Sequence, residues 1–181
     1  MKRIAILSAS VRTGRLSHRV ALYLENYFRQ NALADTELLD LKAYDFPLFH
    51  ERLAMQEHPS DKLIDFTNRF NDADGLIIVS PVYNASYPAA LKNVIDLYYK
   101  EWKHKPVGIV SVPSGKVPGI ATVQQLQVLL LKLGALVAPD LTTVINAGSE
   151  FNEQGEPRSA EQASALILPM LNDLLWLTDK N

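Results

Sequence analysis

Short apolar runs alternate with longer stretches of helical period along the chain. Residues 4–7 form a continuous apolar run, and residues 75–79 give the clearest pattern of a strand buried on both faces. Residues 36–41, 107–112 and 141–145 are the other strands that the pattern predicts. Each of these runs is short enough to be a single strand of a sheet.

Five helices are predicted between and after these strands. One begins after Ser60, a residue type that caps helices, and runs towards Asn71. The other four carry apolar stripes at helical spacing, which are Val20, Leu24, Tyr27 and Phe28; Leu91, Val94, Ile95 and Tyr98; Val123, Leu126, Leu130 and Leu133; and Ala163, Leu166, Ile167, Met170, Leu171 and Leu174. Ser159 and Gln162 have the spacing of a capping box before the last helix. Pro169 is expected to kink or interrupt that helix.

Strands that alternate with helices predict an α/β protein with a doubly wound parallel sheet. Two strand orders are common in open sheets of this kind, and the order 2-1-3-4-5 suits five strands, although a sequence does not display the order. The length of 181 residues fits one domain over residues 1–181. In either order, ligands bind beyond the carboxyl ends of the strands. The loops after the first, third and fourth strands are therefore where a site is expected.

The composition excludes several kinds of chemistry. The chain has no cysteine, which excludes a disulfide framework, a thiolate nucleophile and sulfur redox chemistry. Eighteen Lys and Arg against twenty Asp and Glu give a net charge of −2, so no nucleic-acid partner is expected. The four histidines lack the spacing of metal ligands, and no metal is expected. Every apolar run is too short for a signal peptide or a membrane span, which favours a cytoplasmic protein with no membrane partner.

The loop after the first strand carries groups that suit a phosphate. Residues 8–17 read S-A-S-V-R-T-G-R-L-S, so hydroxyl and guanidinium donors precede a predicted helix. The N-terminus of a helix attracts anions through its free N–H groups and its dipole, and arginine forms charge-assisted bonds to phosphate. The loop lacks the glycine spacing of dinucleotide and nucleoside-triphosphate sites. The alternative is that Ser17 only caps the helix and that both arginines are solvated.

The loops after the third and fourth strands suit the edge of a planar ring. Residues 80–93 contain two prolines that restrict the backbone, and residues 111–119 contain glycines that permit close approach of a ligand. The polar side chains available to such a ring are Tyr83, Asn84, Ser114 and Lys116. The alternatives are that Asn84 or Ser86 caps the next helix, that the tyrosines pack in the core, and that the later loop is only a turn.

Three segments match a set of motifs that occur together in one family. SASVRTGRLS is similar to a G-S-x-R-x-x-S phosphate loop, SPVYNASYPAALKNVID to the signature P-E-Y-N-x-S-x-P-G-x-L-K-N-A-I-D, and SVPSGKVPG to a Gly-rich flavin loop. On these segments the chain resembles the NADPH-dependent FMN reductases of flavodoxin-like fold, which include quinone, azo-dye and chromate reductases. The chain departs from the pattern at Ala9, Val82 and Ala89, where Gly, Glu and Gly are usual. The resemblance implies a three-layer sandwich around the five-stranded sheet.

By position, the resemblance also implies a binding site for FMN whose two ends are held by different loops. The residues at the FMN phosphate are Ser10, Arg12, Leu16 and Ser17, with Arg15 as a further contact. The residues along the isoalloxazine ring are Pro81, Val82, Tyr83 and Asn84, and those on its pyrimidine side are Ser114, Gly115 and Lys116. No side chain is assigned a catalytic role, because the flavin carries the chemistry.

The activity that the resemblance implies is hydride transfer from NADPH or NADH to FMN, and then to a quinone or a similar small-molecule acceptor. Two other classes remain open, a flavodoxin-like electron carrier and a flavin-binding module without enzyme activity. The resemblance implies a homodimer, or a tetramer of two dimers. Tyr98, Tyr99 and Trp102 stand within five positions and are expected to be exposed, because one core face does not need three large aromatic residues.

Overall fold

Within residues 1–115 and 119–180, which the computed structural model describes, six parallel strands form one sheet. The strands are β1 (Arg3–Ser8), β2 (Asp35–Asp40), β3 (Gly75–Pro81), β4 (Pro106–Val112), β5 (Leu136–Val137) and β6 (Thr142–Thr143). Their order is β2-β1-β3-β4-β5, and β6 also pairs with β4. The predicted α/β fold and the strand order 2-1-3-4-5 are therefore confirmed.

Helices cover both faces of this sheet, because side chains of the central strands alternate between the two sides. In β1, Ala5 and Leu7 belong to one apolar core, and Ile4 and Ile6 belong to the other. The helices are α1 (Leu16–Gln30), α2 (Leu41–Tyr44), α3 (Asp61–Asp72), α4 (Ala89–Leu97), α5 (Ile120–Lys132), α6 (Ala147–Glu150) and α7 (Ala160–Lys180). Side chains of α3, α4 and α5 fill the first core, and those of α1 and α7 fill the second. The protein is thus the three-layer sandwich that the resemblance implied.

The fifth position of the sheet holds two short strands in place of the one predicted at residues 141–145. β5 pairs with β4 at Val107, and β6 pairs with β4 further along, at Ser111. Between the two short strands, Pro139 has no N–H to donate to a ladder, so continuous pairing breaks there. The predicted strand is therefore wrong in its bounds. β5 escapes sequence prediction because two residues are too few to show a period.

The two predicted serine caps are confirmed. The Leu63 N–H donates to Ser60 Oγ at 3.3 Å, and the Gln162 N–H donates to Ser159 Oγ at 3.3 Å. Pro169 is exposed, and α7 continues past it, so the proline does not interrupt the helix. None of the helices in the described ranges is long and apolar enough to cross a membrane.

The aromatic residues after α4 are mostly core residues, contrary to the expected exposure. Tyr98 and Trp102 are 2% and 0% exposed, and only Tyr99, at 59%, faces solvent. Tyr98 stacks on Phe70 with ring centroids 5.3 Å apart, and Trp102 meets the same ring edge-on at 5.0 Å. The expectation is wrong for two of the three because the chain leaves the helix at Tyr98 with an extended backbone. That turn directs both rings into the α3 and α4 layer.

Lys105, the residue before β4, stabilises the end of α3. Its Nζ donates to the carbonyl oxygens of Phe70 and Ala73 at 3.1 and 2.6 Å, where a helix leaves carbonyls without partners. Lys105→Met keeps most of the aliphatic stem but removes these bonds, and we expect it to lower the free energy of unfolding by about 1–3 kcal/mol. Urea denaturation measures the loss. The exposed Lys103→Met is the control, and an equal loss in both variants would contradict the assignment.

Candidate functional site

The loops after β1, β3 and β4 leave the sheet at one edge and border a common cleft. β3 lies between β1 and β4 in parallel register, and the Ala9 N–H donates to the Val79 carbonyl at 3.1 Å. The cleft has a volume of about 190 Å³. The residues that line it are Ser10, Arg12, Thr13, Gly14, Arg15, Leu16, Ser17, Pro81, Val82, Tyr83, Val112, Pro113 and Ser114. The structure therefore brings together residues of all three predicted loops.

Nine of the twelve predicted site residues line this cleft. Asn84 and Gly115 are exposed and lie outside the lining, while Lys116 falls outside the described residues. Thr13, one of the hydroxyl donors that the sequence offers in the first loop, also lines the cleft, and the lining residues that the sequence did not single out are Gly14, Val112 and Pro113. Their one sequence signal is position, because each stands inside a loop that follows a buried strand.

Ser17 lies in the first turn of α1 and lines the cleft with a buried side chain. Its Oγ has no hydrogen-bond partner among the described residues. The N-cap position of α1 is Arg15, with no side-chain capping bond, so the alternative role of Ser17 as the cap is wrong. A buried donor without a partner stands beside free N–H groups at the positive end of the helix dipole. This arrangement suits an anion that accepts several hydrogen bonds.

Ser10 and Tyr83 join the first loop to the second. The Ser10 Oγ and the Tyr83 hydroxyl are 2.8 Å apart, and Ser10 is buried. The guanidinium of Arg12 lies over the Tyr83 ring, 5.5 Å from its centroid, and remains exposed to solvent. Tyr83 is half-buried at the cleft and is not a core residue, contrary to the alternative role.

Arg15 lines the cleft, but its guanidinium is bound to Asp40 at the end of β2. Nη1 and Nη2 pair with the two carboxylate oxygens, the second at 2.6 Å, and Nη1 also donates to the Ser10 carbonyl at 2.8 Å. Burial alone would raise the pKa of Asp40, but hydrogen bonds from Arg15 and from the Lys42 N–H outweigh it and leave the pKa below its ordinary value. The carboxylate therefore stays ionised wherever the protein is folded near neutral pH.

His18 lies in the first turn of α1, and its Nδ1 is 3.0 Å from the Ser8 Oγ. Burial, reinforced by the charge of Arg15, lowers the pKa of His18 from 6.5. The folded state then favours the neutral ring, so its contribution to stability is full above pH 6.5 and is lost as the pH falls through the lowered pKa.

We expect the free energy of unfolding to decrease from about pH 7.5 to about pH 5, and to decrease less in His18→Asn. Urea denaturation at a series of pH values measures both slopes. His58→Asn removes an exposed histidine and is expected to keep the slope of the natural protein. Equal slopes for His18→Asn and the natural protein would contradict the assignment.

The second loop is a tight turn that α5 holds in place. Tyr83 and Ser86 exchange two backbone hydrogen bonds, at 2.8 and 3.0 Å, around Asn84 and Ala85. Both central residues have positive φ, 51° and 59°, which is the conformation of a type I′ turn. The Gln125 side chain accepts from Ser86 Oγ at 2.6 Å and donates to the Ala85 carbonyl at 3.0 Å. Neither Asn84 nor Ser86 caps α4, so that alternative is wrong.

The third loop packs against the second at Gly119. A Cβ atom on Gly119 would lie 2.5 Å from Ser111 Oγ and 2.8 Å from Val82 Cγ2, so no larger residue fits without movement. The Ser111 hydroxyl, near the end of β4, is also 2.8 Å from that of Thr143 in β6. Val82 thus presents an apolar side chain to the cleft at the position where the family motif has Glu. Ser114 completes this side of the cleft.

The charged side chains of the cleft suit the binding of an anion and not the transfer of protons. Arg12 has no carboxylate partner among the described residues, and Arg15 is neutralised by Asp40. Among the described residues that line the cleft there is no His, Asp or Glu. Across residues 1–115 and 119–180, no three His, Asp or Glu residues cluster as metal ligands. The site can hold an anionic group beside a planar one, and any redox reaction there is carried by the bound molecule.

An α/β sheet of order 2-1-3-4-5 defines the flavodoxin-like fold, in which ligands bind beyond the carboxyl ends of the strands. Solved structures agree on the fold. A flavodoxin from the domain Archaea superposes with a TM-score of 0.62 at 9% identity, covering 98% of this chain and 99% of that one. A flavoenzyme NAD(P)H:(acceptor) oxidoreductase from Paracoccus denitrificans gives 0.79 at 20% identity, covering 99% and 98%.

The chain belongs to the NADPH-dependent FMN reductase family, whose sequence model matches residues 2–150. It is 31% identical over 122 residues to an NAD(P)H-dependent FMN reductase of Saccharomyces cerevisiae, covering 60% of this chain and 64% of the relative. It is 34% identical over 111 residues to a quinone reductase of Pseudomonas putida, covering 55% and 59%. The match spans less than two thirds of the length of either relative.

Proposed function

We propose that this protein is an NAD(P)H-dependent reductase that passes a hydride from NADPH or NADH, through bound FMN, to a quinone or a similar small-molecule acceptor. The observation that carries the proposal is the buried Ser17 hydroxyl, which lines the cleft at the start of α1 without a partner in the described residues. A phosphate monoester supplies the acceptor that this donor lacks. The quinone reductases and azoreductases among the relatives support the reaction class.

In this proposal, the two ends of FMN are held by different loops. The residues at its phosphate are Ser10, Arg12, Leu16 and Ser17. The residues beside its ring are Pro81, Val82, Tyr83 and Ser114, followed in the chain by Asn84, Gly115 and Lys116. Bound FMN supplies hydride transfer, and the chain supplies binding and orientation. The half-buried Val82 keeps the lining near the ring apolar, which suits planar acceptors.

Flavin titration followed by anaerobic turnover separates the candidate functions. We expect the purified protein to bind FMN and to oxidise NADPH or NADH when a quinone is present. Protein that retains no flavin absorbance after FMN is added and unbound flavin is removed would indicate a module that has the fold without the flavin. Flavin binding without nicotinamide oxidation would indicate an electron carrier. Comparing both nicotinamides over a panel of quinones and azo dyes identifies the preferred substrates.

We also propose a homodimer, or a tetramer made of two dimers. Support comes from apolar side chains beside a surface cavity of about 430 Å³, where Leu48 and Met55 are 84% and 67% exposed. Side chains of this kind are usual at protein interfaces. Light scattering at micromolar concentration measures the mass, and a monomeric mass would contradict the proposal.

The remaining parts of the proposal concern organisation and location. We propose that residues 1–181 form one FMN-binding domain, because both helix layers pack on a single sheet. We place the protein in the cytoplasm, where NADPH and NADH are available, with no nucleic-acid or membrane partner. The absence of cysteine and the net charge of −2 support this placement. Fractionation of the source cells tests it, and a membrane-bound pool would contradict it.

A further inference from the structure

The contacts of Arg15 link the first loop to the end of β2. Its guanidinium forms a bidentate salt bridge with Asp40, and the side chains of Arg15 and Asp40 are only 12% and 18% exposed. Asp40 also accepts from the Lys42 N–H at 3.0 Å, as the cap of α2. Both partners are thus fixed by more than one bond, which is the geometry in which an Arg–carboxylate pair is strongest.

The same guanidinium determines the shape of the loop. It holds the Ser10 carbonyl at 2.8 Å, and the adjoining peptide N–H, that of Val11, points the opposite way because the peptide is planar and trans. Ser10 is held a second time through its Oγ, 2.8 Å from the Tyr83 hydroxyl. The donors at the start of the loop are therefore oriented before any ligand binds.

We propose that Arg15 and Asp40 form a latch that shapes residues 9–15 for the FMN phosphate, so that Arg15 acts through the loop and not by touching the phosphate. The inference rests on the proposed function. It corrects the expectation, drawn from the family resemblance, that Arg15 is a further phosphate contact. Counted from Ser10, the last Ser of the motif S-x-R-x-x-S falls on Arg15, so the latch is a feature of this chain. Arg12 then remains the cationic partner of the phosphate.

The two roles of Arg15 predict opposite effects of Asp40→Asn. If Arg15 is a direct contact, the substitution removes a carboxylate and frees the guanidinium, and FMN binds more tightly. If the pair is a latch, the substitution loosens the loop, and FMN binds more weakly. Riboflavin distinguishes a local effect from general damage, because it has the same ring but no phosphate.

Fluorescence titration with FMN and with riboflavin tests the latch in the full chain. We expect Asp40→Asn and Arg15→Gln each to raise the Kd for FMN by about 10- to 100-fold. The double variant should be no weaker than the weaker single variant, because the two residues act as one unit. The Kd for riboflavin should change by no more than about twofold. Tighter FMN binding by Asp40→Asn, or an equal loss for both flavins, would overturn the latch.

Two further variants keep the test decisive. Arg15→Lys retains the charge but cannot form the bidentate pair with Asp40. The latch therefore predicts nearly the loss of FMN affinity seen with Arg15→Gln, whereas a direct contact with the phosphate predicts that most of the FMN affinity remains. Glu37 lies on β2, as Asp40 does, but away from the cleft, and it pairs with Arg69 of α3. Glu37→Gln breaks that pair and should leave the Kd values for FMN and for riboflavin unchanged. If the natural protein itself fails to bind FMN, the proposed function falls. If it binds FMN and Asp40→Asn binds more tightly, only the latch falls.

Discussion

Replacing Ser17 with alanine should raise the Kd for FMN by about 10- to 100-fold without destabilising the free protein. A hydrogen bond to a charged group contributes about 1.5–3 kcal/mol, and this bond is lost on substitution. In the free protein the Ser17 hydroxyl is buried without a partner in the described residues, so its removal breaks no bond. Flavin fluorescence measures the Kd, and urea denaturation without FMN measures the stability.

Ser10→Ala is the matched comparison for this result. Ser10 is also buried at the cleft, but its hydroxyl is bonded to Tyr83, so its loss should weaken FMN binding and lower stability together. The Ser17 assignment would be contradicted by a variant that loses more than about 1 kcal/mol of stability and binds FMN as before. That outcome would make Ser17 a structural residue of α1.

Trp102→Ala should lower the free energy of unfolding by about 3–5 kcal/mol, the range for removing a large buried side chain. Trp102 is 0% exposed, meets the Phe70 ring edge-on, and donates from Nε1 to the Ile95 carbonyl at 3.3 Å. Its removal leaves a cavity between α3 and α4 and removes the hydrogen bond from Nε1 to the Ile95 carbonyl. Urea denaturation followed by far-UV circular dichroism measures the loss independently of tryptophan fluorescence.

Trp176→Ala is the control, because that side chain is 60% exposed on α7. We expect it to change stability by no more than about 0.5 kcal/mol, as for most surface substitutions. If Trp102→Ala does not fold, Trp102→Phe should fold with a smaller loss than that range. Similar losses at both tryptophans would contradict the placement of Trp102 in the core.

The sheet and the location of the cleft are predictable from the sequence because they depend on local patterns. Residues 4–7 and 75–79 are continuous apolar runs, as a strand that is covered on both faces requires. Once these strands are found, the rule that ligands bind beyond their carboxyl ends selects the loops that contain Ser10 and Tyr83, and Ser17 directly after the first of them. The structure brings all three to one cleft.

The features that escaped prediction depend on contacts between distant parts of the chain. Trp102 is buried because the chain turns after α4 and meets Phe70, and no period in the sequence describes a turn. Arg15 pairs with Asp40, which is 25 positions away in the sequence. A motif that covers only the first loop does not include Asp40, so the charge of Arg15 is taken to bind the ligand. Pro139 divides the fifth strand, which a short apolar pattern does not reveal.

Anaerobic reduction of the FMN-loaded protein tests the proposed function most directly. The protein is mixed with FMN, freed of unbound flavin by gel filtration, and titrated first with NADPH and then with a quinone. We predict that flavin absorbance stays with the protein through filtration, is lost on addition of NADPH, and returns with the quinone. Flavin that does not stay with the protein, or bound flavin whose absorbance NADPH and NADH both leave unchanged, would contradict the proposed reductase.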